Sequence, residues 1–162
     1  MKTYPAPGER MPFLVAERNR KMAASAHAYV RGSTVRFYDW LDSSTRSPLP
    51  DGPATWICGD CHVGNMGPVA SADGDLAIQI RDLDQTVIGN PAHDLIRLAL
   101  SLAMAARGSD LPGVTTVLML ERMMEGYETA FTSDEAGADA QPRSVKVLMR
   151  AAAGRSWKHL AD

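Results

Sequence analysis

Four oxygen-bearing side chains, Asp60, Asn65, Asp82 and Asp84, sit in two short segments, CGDCHVGN at 58–65 and IRDLD at 80–84. Asp60 leaves a short apolar stretch, with Asn65 five positions on, and Asp82 and Asp84 stand at the exit of an alternating stretch. A carboxylate, an amide and a second pair of carboxylates brought to one end of a small sheet suit phosphoryl transfer. One Asp accepts the proton of the attacking hydroxyl, while Asn and Asp hold Mg²⁺ against nucleotide phosphates. Hard oxygen ligands, few in number, match an ion that keeps waters and phosphate oxygens in its shell. The spacing therefore assigns Asp60 as base and Asn65, Asp82 and Asp84 as metal ligands, with Mg²⁺ and ATP or GTP as the implied cofactor and co-substrate.

The elements that must position these groups follow from periodicity and punctuation. Residues 1–11 are rich in Pro and Gly and read as an irregular tail. Residues 12–31 hold good helix formers without an internal Gly, and predict one helix ended by Gly32 and Ser33. Val35, Tyr38 and Leu41 carry helical spacing over 34–41, and a polar loop follows at 43–52. Residues 54–58 (ATWIC) read as a short buried strand. Residues 66–70 and 76–80 flank Asp73-Gly74, a strong hairpin signal, and Leu76, Ile78 and Ile80 alternate as a half-buried strand does.

After Gly89 the pattern turns helical. Asn90 can cap, Pro91 suits the first helical position, and the run to Arg107-Gly108 is apolar all round, which predicts a buried helix. Another helix is expected from about Pro112 to Phe131, an exposed acidic loop over 132–142, and a last helix over 144–152. The expectation is one α+β domain over 1–162, mostly helical. N-terminal helices occupy 12–50, a small antiparallel β-hairpin region with the site motifs 54–84, and further helices 90–160.

Length and composition bound the function. The chain has 162 residues, 45% hydrophobic and 22% charged, in the range of a globular protein. A net charge of −2 and a pI near 6.1 argue against nucleic acid as a partner. No apolar run approaches the ~18–20 residues of a membrane span, and the N-terminus lacks a secretory layout, so a cytoplasmic location and no membrane partner are expected. Net charge runs +4 over residues 1–50, −10 over 51–140 and +4 over 141–162, so an acidic middle suited to a divalent metal lies between basic flanks suited to phosphate. Lys21 and Arg31, in the first flank, are the candidate phosphate contacts.

Cys58, Cys61 and His62 also spell C-x-x-C-H, the signature of covalent haem attachment, which belongs to exported proteins. Zinc held by Cys58, Cys61 and His62 with His27 or His93 is the other metal reading, and a buried Cys is more often a small hydrophobe. His62 can equally order its loop, and Asp94 in the first turn after Asn90 complements the helix N-terminus.

The order of motifs, Gly-Asp-x-His-x-Gly-Asn, hairpin, Ile-x-Asp-x-Asp, then Gly-Asn-Pro-x-x-Asp-Leu opening a helix, resembles the aminoglycoside and choline phosphotransferase branch of the kinase-like superfamily. More closely, RKMAASAHAYVRG, CGDCHVGNMG, IRDLDQTVIGNPAHDLIRLALSLAMAAR and the terminal GRSWKHLAD resemble the bacterial family catalogued as domain of unknown function 2252. The resemblance runs from about residue 13 to the end, and departs from the family pattern at Met66, Arg81, Leu83 and Gln85. It implies the helical, C-terminal lobe of a kinase-like fold, with Asp94 bracing the catalytic loop and transfer from ATP or GTP to a small-molecule or protein hydroxyl. It also implies incompleteness, because the glycine-rich segment and nucleotide lysine of the family lie downstream and the chain stops at Asp162. A truncated phosphotransferase core is the leading expectation. The alternatives are a catalytically silent interaction module, or a fragment whose partner chain supplies the missing lobe, and then the Cys-x-x-Cys-His metal protein.

Overall fold

The computed structural model describes residues 5–43, 49–132 and 142–154. The terminal GRSWKHLAD motif beyond Gly154, nearly all of the expected acidic loop and residues 44–48 of the loop before the first strand lie outside the described residues. The architecture is α+β: six helices and two separate two-stranded antiparallel sheets among the described residues.

A 3-10 turn at Pro7–Glu9 leads into α1 (Arg10–Met22), so the helix begins inside the stretch expected to be irregular. Pro12 costs nothing there, because the first-turn N–H groups have no intrahelical acceptor. The single helix expected over 12–31 is in fact two. Ser25, extended at φ −163° and ψ 161°, caps α2 (Ala26–Gly32) by accepting the Ala28 N–H at 3.0 Å. A good N-cap, which offers an orphan donor its partner, outweighs the helix preference of Ala23 and Ala24, strong for its type but worth only tenths of a kcal/mol per residue. In α3 (Thr34–Ser43) the inward residue is Phe37, 5% exposed, whereas Val35 is 74% exposed; the apolar stripe read from the sequence was rotated off the true one.

β1 (Thr55–Ile57) forms where expected, but only Ile57 is buried and Trp56 is exposed. Its partner is a strand the sequence reading missed, β4 (Val87–Gly89), paired Thr55↔Gly89 and Ile57↔Val87. Three residues are too few to show alternation, so that pairing was not legible. β2 (Met66–Ala70) and β3 (Leu76–Ile80) make the expected hairpin in the register Met66↔Ile80 and Ala70↔Leu76. Gly74 turns it at φ +88°, a conformation an L side chain resists. Ile78 is exposed, so the alternation of β3 is only partly buried.

α4 (Pro91–Gly108) keeps its expected bounds, with Asn90 Oδ1 accepting the Ala92 N–H at 2.9 Å. Its interior is not what an apolar run suggests. The fully buried residues are Arg97 and Ser101, with Ala106 beside them, while Leu100 is exposed. α5 (Gly113–Thr132) packs on α4 without fully burying a residue, and α6 (Arg143–Ala153) buries Met149 and meets β3. Among the described residues the buried apolar groups are Val30, Phe37, Ile57, Cys58, Cys61, Ala106 and Met149. Most of this small core lies where α2, α3 and α4 meet the segment leaving β1, which is where the candidate chemistry sits.

Candidate functional site

The segment 58–65 connects β1 to β2 and is pinned along its length. Asp94, in the first turn of α4, accepts the backbone N–H of Cys58 at 2.6 Å and of Gly59 at 3.1 Å. Gly59 turns at φ +77°, and a Cβ there would fall 2.3 Å from the Gln85 carbonyl oxygen, so no other residue fits. The Tyr38 hydroxyl donates to the Gly59 carbonyl at 2.9 Å, and the Val63 N–H donates to Ser101 Oγ at 3.2 Å. Burial, reinforced by the Asp94 charge, pushes the Tyr38 phenol above its usual range.

Asp60 stands at the centre of this loop. Its Oδ1 accepts from Arg97 Nε at 2.7 Å and from the Thr34 hydroxyl at 2.9 Å. Arg97 is wholly buried, donates through Nη2 to the Val30 carbonyl at 3.1 Å and to Thr34 Oγ1 at 2.8 Å, and lies 5.2 Å from the centre of the Phe37 ring. Its Nη1 has no hydrogen-bond partner among the described residues. Arg97 is the functional residue the sequence reading missed. The signal was a charge inside an otherwise apolar helix, because Arg is almost never fully buried unless paired.

The other oxygen of Asp60, Oδ2, is 3.6 Å from His62 Nε2. His62 is buried, and desolvation holds its imidazole below its ordinary pKa even though Asp60 pulls it up. His62 Nδ1 is buried and has no hydrogen-bond partner among the described residues. Asn65, also buried, donates Nδ2 to the backbone carbonyl of Asp82 at 2.8 Å, and the Arg81 N–H donates to the Asn65 carbonyl at 2.9 Å. These two bonds join the loop to the exit of β3. Asp82 and Asp84 are exposed; the Asp84 N–H reaches Asp82 Oδ1 at 3.4 Å, and the charge of Asp82 is the main cause that raises the Asp84 carboxyl above its ordinary pKa.

Asp60, His62, Asn65, Asp82, Asp84, Arg31, Gly64 and Arg81 line one cleft of about 340 Å³. Of the residues singled out from the sequence, Asp94 lies behind the loop it holds. Lys21 is not in the cleft: it is exposed and lines a separate groove between α1 and α2. For Mg²⁺ the cleft offers the carboxylates of Asp82 and Asp84 and the side chain of Asn65, hard oxygen donors of the kind that share an ion's shell with phosphate, but among the described residues no three His, Cys, Asp or Glu side chains, these carboxylates included, are grouped as a metal ion would need.

The cysteine reading fares differently. Burial pushes the Cys61 thiol up to about 12 and raises that of Cys58 as well, so without a metal both are neutral thiols. His93 packs its ring on Tyr38, with centroids 5.9 Å apart, and among the described residues no three His, Cys, Asp or Glu side chains are grouped as a metal ion would need.

No helix of the described residues is long and apolar enough to cross a membrane. Comparison with curated proteins and with solved structures finds no match. The family described as "Uncharacterized protein conserved in bacteria (DUF2252)" matches residues 10–157, a span that holds every element from α1 to α6 and the whole cleft, and the chain belongs to that family.

Proposed function

We propose that this chain carries the catalytic and metal-binding half of a kinase-like phosphotransferase site, acting with Mg²⁺ and ATP or GTP on a hydroxyl acceptor. The observation that carries the reading is the meeting of Asp60, Asn65, Asp82 and Asp84 in one cleft, although the pairs are brought from separate segments of the chain. Asp60 Oδ1 is occupied by Arg97 and Thr34, so Oδ2 is the oxygen left to accept the proton of an attacking hydroxyl. The ion would be held by the carboxylates of Asp82 and Asp84 and by Asn65, and supplies neutralisation of phosphate charge. Asp94 holds the loop carrying Asp60 by its backbone, which fixes the direction in which that carboxylate points. Mg·ATP at millimolar concentration raises the melting temperature of the chain, and Asp82→Ala abolishes the rise. An unchanged melting temperature in the wild-type chain counts against the reading.

A second reading is a module that works only when docked to a partner chain supplying a further lobe. Its support is the uncovered apolar surface: α1 and α5 have no fully buried residue, and Val114, Val117 and Phe131 stand exposed along α5. Light scattering across a concentration series and pull-down experiments test it. A monodisperse monomer with no bound partner that still responds to Mg·ATP disposes of it.

A further inference from the structure

The cleft holds charges of both signs that do not pair with each other. Asp82 and Asp84 line it, and so do Arg31, from the last turn of α2, and Arg81, which follows β3. Among the described residues neither arginine forms an ion pair with any carboxylate. In so small a space, opposite charges close onto one another unless something holds them apart. Arg81 is held: its Nη2 donates to the Gly64 carbonyl at 2.9 Å, which leaves the rest of the guanidinium fork for another acceptor.

Gly64 is the point around which the basic groups gather. A Cβ at this position would sit 3.2 Å from His62 Nδ1 and 3.8 Å from Arg31 Cδ, so its absence keeps open the space between them. His62 Nδ1 borders that space and is buried without a partner. A buried polar atom of this kind is costly unless a ligand or water completes it. A proton on Nε2, the ring nitrogen 3.6 Å from Asp60 Oδ2, leaves Nδ1 as an acceptor for a ligand O–H.

We propose that Arg81 and Arg31 form an oxyanion subsite that takes a phosphoryl group directly, without a metal ion, and that His62, across the Gly64 gap, accepts a hydrogen bond from a hydroxyl of the same ligand. Asp82 and Asp84 remain free for the cation that accompanies it. The ligand class is a phosphorylated, hydroxyl-bearing small molecule. The identity of the anion rests on the phosphotransferase reading above; the existence of the subsite does not. The arginine that departs from the family pattern, Arg81, thereby gains a task within this chain.

The test is calorimetric titration of the full chain with inorganic pyrophosphate in magnesium-free buffer at fixed ionic strength, with a parallel Mg·ATP titration. Pyrophosphate binds, and Arg81→Gln and Arg31→Gln each weaken it about tenfold, the loss of a charge-assisted hydrogen bond. Gly64→Ala weakens it as well, whereas Asp82→Asn tightens it by removing a repelling charge. Lys21→Gln, outside the cleft, stays within about twofold of wild type, as an exposed charge should. Both arginines are exposed, and circular dichroism of the two variants is the check that they remain folded. Absence of pyrophosphate binding, indifference to both arginine variants, or an equal loss with Lys21→Gln overturns the subsite. If Mg·ATP binding depends on Asp82 while pyrophosphate binding is absent, the subsite fails and the phosphotransferase reading stands. If pyrophosphate binding depends on Arg81 while Mg·ATP has no effect, the subsite stands and that reading fails.

Discussion

The guanidinium of Arg97 lies against the carboxylate of Asp60, with Nε 2.7 Å from Oδ1, and the same guanidinium reaches the Val30 carbonyl and the Thr34 hydroxyl. One buried cation thus joins α4, the loop after β1, and the α2–α3 junction. Burying an unpaired guanidinium is prohibitive, so these partners fold as a unit. The cost of the arrangement is that half of Asp60 is spent on structure; its gain is a carboxylate held in one orientation, with its second oxygen 3.6 Å from His62 Nε2 at the cleft.

Removing the cation leaves Asp60 part-buried and uncompensated. Arg97→Met therefore destabilises the chain by about 3–5 kcal/mol, the usual consequence of breaking a buried pair from one side. Adding Asp60→Asn to Arg97→Met recovers part of the loss, because the orphaned charge goes with it. Urea denaturation of the four proteins of this cycle measures the coupling. Additive losses would mean that the two residues do not act on each other.

Asp94 supports the loop from the other side. Its two oxygens accept the Cys58 and Gly59 N–H groups, and an amide in its place can accept only through one. Asp94→Asn lowers stability by about 1.5–3 kcal/mol, the range for hydrogen bonds to a charged group. Because the segment 58–65 carries Asp60, the variant also loses any Mg·ATP response that wild type shows. A variant as stable as wild type in urea denaturation would refute the bracing role.

Much of this was legible in the sequence, for identifiable reasons. Asn90-Pro91 and Arg107-Gly108 mark the ends of α4 by local chemistry, and Asp73-Gly74 marks the hairpin turn; both came out as read. The mixed helix-and-hairpin class followed from them. What failed depended on long-range contacts. Phe37 and not Val35 faces inward because Arg97 lies 5.2 Å from the centre of its ring, and no spacing within 34–41 carries that information. β4 exists because Ile57 finds Val87, a pairing across thirty positions between strands of three residues. The oxygen-bearing residues stood out by type and spacing. Arg97 was hidden by apolar neighbours, and Arg81 stood out only as a departure from the family pattern.

The thiols give a prediction bearing on the cysteine motif. Burial raises Cys58 and pushes Cys61 up to about 12, so both are neutral near pH 8. Native chain incubated with a disulfide reagent at that pH reacts slowly at both positions, and unfolding in guanidinium exposes two fast thiols. Rapid reaction of native Cys61, or protection that a zinc chelator removes, would restore the metal reading.

Asp84 gives the dependence on pH. Its carboxyl is raised above 3.8 chiefly by the charge of Asp82, so the folded chain binds a proton there more readily than the unfolded chain. The favourable contribution is present below the unfolded value and is lost as pH rises through the raised folded value. At neutral pH the repulsion remains in full, and Asp84→Asn removes it. The variant is therefore more stable than wild type at pH 7, and the difference closes as pH falls below about 4, the unfolded range of an aspartate. Because Asp84 is exposed, the effect shrinks in high salt. Millimolar Mg²⁺ narrows the gap at pH 7 by relieving the same repulsion in wild type, the response expected of a carboxylate pair that holds the ion. Thermal denaturation of both proteins from about pH 2.5 to about pH 8, in low and high salt and with and without Mg²⁺, reads all three trends. Equal stability at pH 7 would show that the two carboxylates do not repel one another.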